Sequence, residues 1–503
     1  MPLVAPIEDT NGDGRLSELD TTGVFFVGHV AETGDERLIS LESATGTVRW
    51  ISDQPADQVV YAIADIDNDD VNDVVSMTGI YGALALRASD GRMVWTSNAE
   101  ERWWTEIADL TGDGDAELVS PPYVADGESG AVEFALPETA LLDVPVVADI
   151  DLDGAQEILV DGIVYDAQGD PQWRAPGAER YGWTEGVPLQ LDDDPEAELL
   201  WLGWDELSVT EHDGTVLGGQ SHHDDEGWLS TRPPCAGDFD GDGAPDIAFG
   251  HSGGLRAQTA LGTLLWEAGL TGVDTSTYCS VFDFNGDGLQ DVVLANGARV
   301  SIFSGLDGEE HVISETIGAR DGVRWASVVD LDRDGHAELL TFEPAESGGF
   351  LHAYGHAGEG WPPAGPTWTS HSFAGTNGNP GGHVPRSPVP TWLSSNTWRG
   401  RTAAEAELLA DLQVAAQLCT RSGLVRTLLE NRGGQAIAGV VLELLADGVK
   451  IDEVEVGLVE GGSLVDGITL DPQGHENLVV KVTASDPSEE CDTETTRARL
   501  ESS

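Results

Sequence analysis

Short apolar runs punctuate the first 350 residues, each broken by a polar loop. Runs at 59–64, 144–148, 281–282 and 328–329 stand directly before an acidic loop. Runs at 74–75, 118–119, 158–160, 247–249, 292–294 and 339–340 stand directly after one. Brief β-branched runs on both sides of a tight polar loop predict two antiparallel strands. A second hairpin follows at 38–50, 84–95, 163–173, 255–266 and 300–312, turning at Gly46, Gly91, Gly169, Gly262 and Gly308. Each repeat is therefore four short strands, the content of one propeller blade.

The acidic loop is the repeated element. It returns about eight times at intervals of about 40 to 56 residues, a period that signals a propeller or solenoid. Oxygen-bearing side chains fall at positions 1, 3, 5 and 9, with glycine at 6. The fullest copies are Asp238, Asp240, Asp242, Asp246 and Asp283, Asn285, Asp287, Asp291. Others are Asp65, Asp67, Asp69, Asp73 (with Asp70 in place of glycine); Asp109, Thr111, Asp113, Glu117; Asp149, Asp151, Asp153, Glu157; and Asp330, Asp332, Asp334, Glu338. The fifth copy is degenerate: Gln190 precedes Asp192, Asp194 and Glu198, and Pro195 replaces the glycine. The first copy, Asp9, Asn11, Asp13 and Asp20, is longer and reads like a twelve-residue helix-hand loop. Such spacing wraps a loop around one hard cation, and donor sets made only of oxygen favour Ca²⁺ over zinc. About six to eight calcium ions are expected.

These loops, recurring in phase between two strands, resemble the FG-GAP/VCBS repeat family, to which the propeller of integrin α-chains belongs. The resemblance covers roughly residues 5 to 400. It implies a seven- or eight-bladed β-propeller with calcium on one rim; eight repeats are counted, and the first either stands alone or completes the last blade. Trp50, Trp95, Trp173 and Trp266 follow a Gly-x-x-x-Trp spacing. This resembles the blade-docking tryptophans of quinoprotein propellers, and equally suits aromatics packed between blades.

Beyond residue 355 the repeat gives way to Gly, Pro, Ser and Trp up to about Arg401, a segment expected to close the disc. Residues 401–503 then alternate as about seven strands, at 412–418, 424–430, 440–445, 451–456, 463–470, 478–483 and 495–500. This pattern reads as an immunoglobulin-like β-sandwich. Leu428-Leu-Glu-Asn431-Arg-Gly433 resembles bacterial CARDB adhesion modules, which implies a stalk or spacer. The fold class expected is all-β: a propeller over 1–400 and a sandwich over 401–503.

Charge narrows the partners. The formal net charge is −66, and lysine occurs only as Lys450 and Lys481. Seven divalent ions leave roughly −52, so metal accounts for little of the excess. The surface repels nucleic acid and anionic lipid, and it suits salt water, where screening is strong. No apolar stretch is long enough to span a membrane. Of four cysteines, Cys235 and Cys279 precede the loops of successive repeats and are expected to pair; Cys419 and Cys491 are the second expected pair. Calcium and disulfides argue for a secreted or cell-surface protein. The first residues, Met-Pro-Leu-Val-Ala-Pro, are no signal peptide, so export implies a processed or longer parent chain.

No phosphate loop, nucleophile elbow or zinc spacing occurs. The cluster His222-His223-Asp-Asp-Glu226 lacks a third spaced ligand. The blade-to-blade connectors carry Trp103, Trp104, Trp183, Trp228, Tyr278 and Trp325 with arginines nearby. Aromatics beside cations suit a sugar ring or a protein hot spot, and they equally suit ordinary core filling the channel. The expected function is a monomeric adhesion or binding module for a glycan or protein ligand, without catalysis. The alternatives are enzymes that this pattern also resembles: a polysaccharide lyase, or less so a quinoprotein.

Overall fold

In the computed structural model the chain forms two compact units, Met1–Ala403 and Ala404–Ser503. Residues 2–499 are described except for connecting stretches, chiefly 11–15, 98–104, 138–143, 177–185, 222–233, 271–277, 315–324, 375–383, 402–411, 419–423, 432–436 and 484–496. No α-helix occurs among the described residues, and no helix is long and apolar enough to cross a membrane.

The first unit is eight consecutive antiparallel sheets, spanning residues 3–55, 60–97, 106–135, 146–174, 186–221, 235–269, 279–314 and 326–354. Among the described residues, seven have four strands in chain order and the eighth has three. Apolar residues on both faces of the second and third strands supply the core, because each sheet is covered by its neighbours. First strands of most successive sheets, from the first to the fifth and from the sixth to the eighth, lie against one another. The eighth sheet packs on the first: Phe342 meets Phe26 with ring centroids 5.1 Å apart, and the Ser327 hydroxyl donates to the Pro2 carbonyl at 3.1 Å.

Neighbouring sheets are joined by a repeated aromatic contact. The indole N–H of Trp50, Trp95, Trp173 and Trp266 donates to Ala88, Gly127, His212 and Gly305 of the next sheet, at 2.6–2.9 Å. Each ring lies over the turn glycine of that sheet. At Gly130, where φ is +67°, a Cβ would sit 2.7 Å from the Trp95 ring, so only glycine admits the contact. Gly91, Gly214 and Gly308 repeat this against Trp50, Trp173 and Trp266. These tryptophans are packing residues between sheets.

The segment after the eighth sheet runs back across the unit. Trp368 exchanges both backbone hydrogen bonds with Val4 at 2.8 Å, and Thr369 accepts from Ile63. Further on, Trp398 pairs with Ala236 and Gly400 with Val281. It thus ties the first strands of the first, second, sixth and seventh sheets. Cys235 and Cys279, in the first strands of the sixth and seventh sheets, form a disulfide. Cys419 and Cys491 lie outside the described residues.

In the second unit, strands Leu412–Leu418, Val425–Asn431 and Leu464–Leu470 form one sheet, and Val449–Val459, Ile437–Ala446, Leu478–Thr483 and Arg497–Arg499 another. One core draws on both, including Leu429 and Leu470 from the first and Leu442, Leu444 and Val480 from the second.

Trp95→Ala is expected to cost about 3–5 kcal/mol, and Gly130→Ala about 1–3 kcal/mol through strain and overpacking. Urea unfolding checks both; an unchanged midpoint for either would remove the docking role.

Candidate metal centres in the acidic loops

One template builds the loops. Position 9 is the first residue of the second strand in seven sheets: Asp73, Glu117, Glu157, Glu198, Asp246, Asp291 and Glu338. Its carboxylate accepts the backbone N–H of position 2, at 2.7–3.4 Å in loops two, three, four, six, seven and eight. Glu198 makes the same bond to Leu191. Position 2 anchors the loop: Ile66, Leu110, Ile150, Phe239, Phe284 and Leu331 are all buried.

Position 1 closes the turn. Asp65, Asp109, Asp149, Asp238, Asp283 and Asp330 each accept the N–H of position 6 at 2.8–3.0 Å. Positions 4 and 6 take left-handed φ, as Gly241 (+80°) and Gly243 (+86°) do. Asp70 adopts the same conformation without being glycine. Position 5 turns its oxygen back to the N–H of position 7 in loops two, three, four, six, seven and eight, at 2.8–3.1 Å.

What remains is a knot of carboxylates. Asp65, Asp67 and Asp73 each offer an oxygen within 4.8 Å of the others. So do Asp149, Asp151 and Glu157; Asp238, Asp240 and Asp246; Asp330, Asp332 and Glu338; and Asp192, Glu198 and Glu211. Loops three and seven keep the template with neutral Thr111 and Asn285 at position 3. The position-5 acids, Asp69, Asp113, Asp153, Asp194, Asp242, Asp287 and Asp334, stand outside these groups. Asp69 instead forms an ion pair with Arg87. In the first loop Asp20 is buried and accepts from the Thr10 backbone at 2.7 Å, beside Asp9; Asn11 and Asp13 lie outside the described residues. Glu211 was not legible as part of a loop, because it comes from the third strand of the fifth sheet.

Burial and mutual repulsion push every position-9 carboxyl upward. Desolvation dominates throughout, and the other acids of the same loop add to it. Asp73 and Glu157 rise to about 8. Glu117, Glu198, Asp246 and Glu338 rise to about 7, and Asp291 to about 6. Several oxygens, among them Asp73 Oδ1, Asp149 Oδ1, Glu198 Oε1 and Asp330 Oδ1, are buried without a hydrogen-bond partner. Buried carboxylates of this kind call for a cation. The donors are all oxygen, which suits a hard divalent ion.

Of the connector aromatics, Tyr278 and Trp325 are described. They stack with centroids 3.6 Å apart, and His371 meets both edge-on. The buried Arg399 lies 4.8 Å over Tyr278 and donates from Nε to the Cys279 carbonyl at 3.2 Å. The pair is therefore packed under the closing segment. Trp103, Trp104, Trp183 and Trp228, and the cluster at 222–226, lie outside the described residues.

The sequence matches the model of FG-GAP-like repeats over residues 283–341. Among curated proteins, none matches the chain in sequence. In fold, the chain is similar to the V. cholerae biofilm matrix protein Bap1, with TM-score 0.64 and 17% identity over 80% of this chain and 95% of that one. It is also similar to Saccharomyces cerevisiae Sqt1, with TM-score 0.46 and 13% identity over 68% of this chain and 94% of that one. A third is the C-terminal WD40 domain of Sif2, with TM-score 0.40 and 13% identity over 70% of this chain and 97% of that one.

The raised carboxyls set a sign for pH dependence without metal. A carboxyl raised on folding stabilises the fold in its neutral form; that contribution is full below about pH 4 and is lost as pH climbs through about 6 to 8. Metal-free protein is expected to melt lower at pH 8 than at pH 5, and saturating divalent ion to narrow the gap. Calorimetric melts at both pH values, with and without chelator, provide the check.

Proposed function

We propose that the protein is an exported, calcium-loaded eight-bladed β-propeller followed by an immunoglobulin-like β-sandwich, serving as an adhesion or binding module for a glycan or protein ligand. The observation that carries this reading is the loop template, repeated sheet after sheet and leaving carboxylates crowded within 4.8 Å of one another. Each of the eight sheets is one blade. That the first sheet has four strands of its own supports counting it as a separate blade, eight in all.

Calcium suits these loops better than magnesium. Flexible loops with many carboxylate and carbonyl oxygens meet its seven- or eightfold demand, whereas Mg²⁺ keeps a strict octahedron and its own waters. The ion acts on the fold by neutralising acids that otherwise repel. Export accords with the Cys235–Cys279 disulfide and with the biofilm-matrix setting named for a protein of similar fold. The second unit acts as a spacer that presents the propeller. Catalysis is not part of the reading, so acidic polysaccharides are expected to yield no ultraviolet absorbance from unsaturated uronides.

At free calcium of about 100 times the dissociation constant, each site adds roughly 2.7 kcal/mol. Six to eight sites then amount to a thermal shift of tens of degrees. Melting at high salt, with calcium and then with excess chelator, is expected to show that shift; coincident curves would sink the reading. A glycan array run in calcium then addresses the ligand.

A further inference from the structure

We propose that the fifth acidic loop holds a divalent cation through a ligand from outside the loop, with Asp192, Glu198 and Glu211 as its carboxylate donors. This rests on the reading of the other loops as cation sites. By sequence the fifth loop is the poorest of the set: Gln190 stands at position 1 and Pro195 at position 6.

Those two departures answer each other. Elsewhere the position-1 carboxylate accepts the N–H of position 6. Proline has no N–H to give, so a carboxylate at position 1 loses that partner. Gln190 closes the turn another way: its Nε2 donates to the Asp194 carbonyl, and its Oε1 accepts from the Asp192 backbone at 3.1 Å. Asn396 of the closing segment holds the Gln190 backbone from outside through two bonds of 3.0 and 2.9 Å. The loop is thus shaped like its neighbours while one carboxylate short.

Glu211 restores the missing acid. It ends the third strand of the sheet, Glu206–Glu211, directly opposite Glu198 in the register, so strand pairing alone brings the two side chains to one place. The equivalent position in the second sheet is Arg87, opposite Asp73, which supplies a positive charge to its loop instead. Acid–acid pairs placed opposite on one sheet are destabilising unless something lies between them.

A separate observation points to the ion. Glu198 is fully buried; its Oε2 accepts from Leu191, while its Oε1 has no hydrogen-bond partner among the described residues. One carboxylate oxygen each of Glu198, Asp192 and Glu211 lies within 4.8 Å of the others. A fully buried carboxylate with one unpartnered oxygen, grouped with two further carboxylates, is the arrangement a hard cation completes.

The test is a count of bound ions on the full chain, by native mass spectrometry and calcium titration calorimetry. Glu211→Gln is expected to bind one calcium fewer than wild type, and Glu206→Gln, at the other end of the same strand, the full number. Should Glu211→Gln fail to fold, the exposed Asp192→Asn is expected to lose the same single ion. An unchanged count and affinity in the variant overturns the proposal and leaves the other loops as they were. A wild type that binds no calcium removes the reading of all the loops, and this proposal with it.

Discussion

Repulsion between carboxylates held a few ångströms apart is the constraint around which the first unit is arranged. At an effective dielectric of about 20, two such charges at about 5 Å cost about 3 kcal/mol, and each loop contains several such pairs. Backbone N–H groups offset part of this by donating to positions 1 and 9. They do so by spending the oxygens that shape the loop, so the remainder still faces its neighbours. The same hydrogen bonds that fix the template thereby fix the need for a counter-charge.

The template also passes from sheet to sheet. Asn68 of the second loop donates to Gly114 and Asp115 of the third, and Gln156 of the fourth loop donates to the Asp109 carbonyl of the third at 2.6 Å. The Gln290 backbone N–H of the seventh loop donates to the Asp238 carbonyl of the sixth at 3.0 Å. An antiparallel meander places the first loop and the last turn of every sheet on one rim. The docking tryptophans therefore join the rim that carries the acids: Trp50 bonds Ala88, whose own N–H bonds Asn72 inside the second loop.

Local pattern carried most of this. The loops, the hairpin glycines and the strands after the loops are written in contiguous residues, since a tight acidic turn and its flanking β-branched runs need nothing distant. The candidate donors Asp65, Asp67 and Asp73 are legible for the same reason. Glu211 was hidden because strand register, not sequence proximity, brings it to Glu198. The closing segment was legible only as irregular; its pairing with Val4, Ala62, Ala236 and Val281 depends on partners more than a hundred residues away. Burial of Arg399 under Tyr278 and Trp325 was equally invisible, because nothing near an arginine in sequence announces an aromatic box. The buried position-2 residues were in plain view and were passed over, as single apolar residues inside an acidic motif.

The closing segment has a mechanical consequence. A sheet is weakest when pulled from an outer edge, where hydrogen bonds open one at a time like a zip. In this unit the chain leaves by way of Trp398 and Gly400, which are paired to first strands of the sixth and seventh sheets, while Trp368 is paired to the first. Tension applied beyond residue 403 therefore enters through the innermost strands and is shared across several sheets at once. The adjoining disulfide clamps two of those strands together. Such an anchorage resists peeling of the sheets it ties.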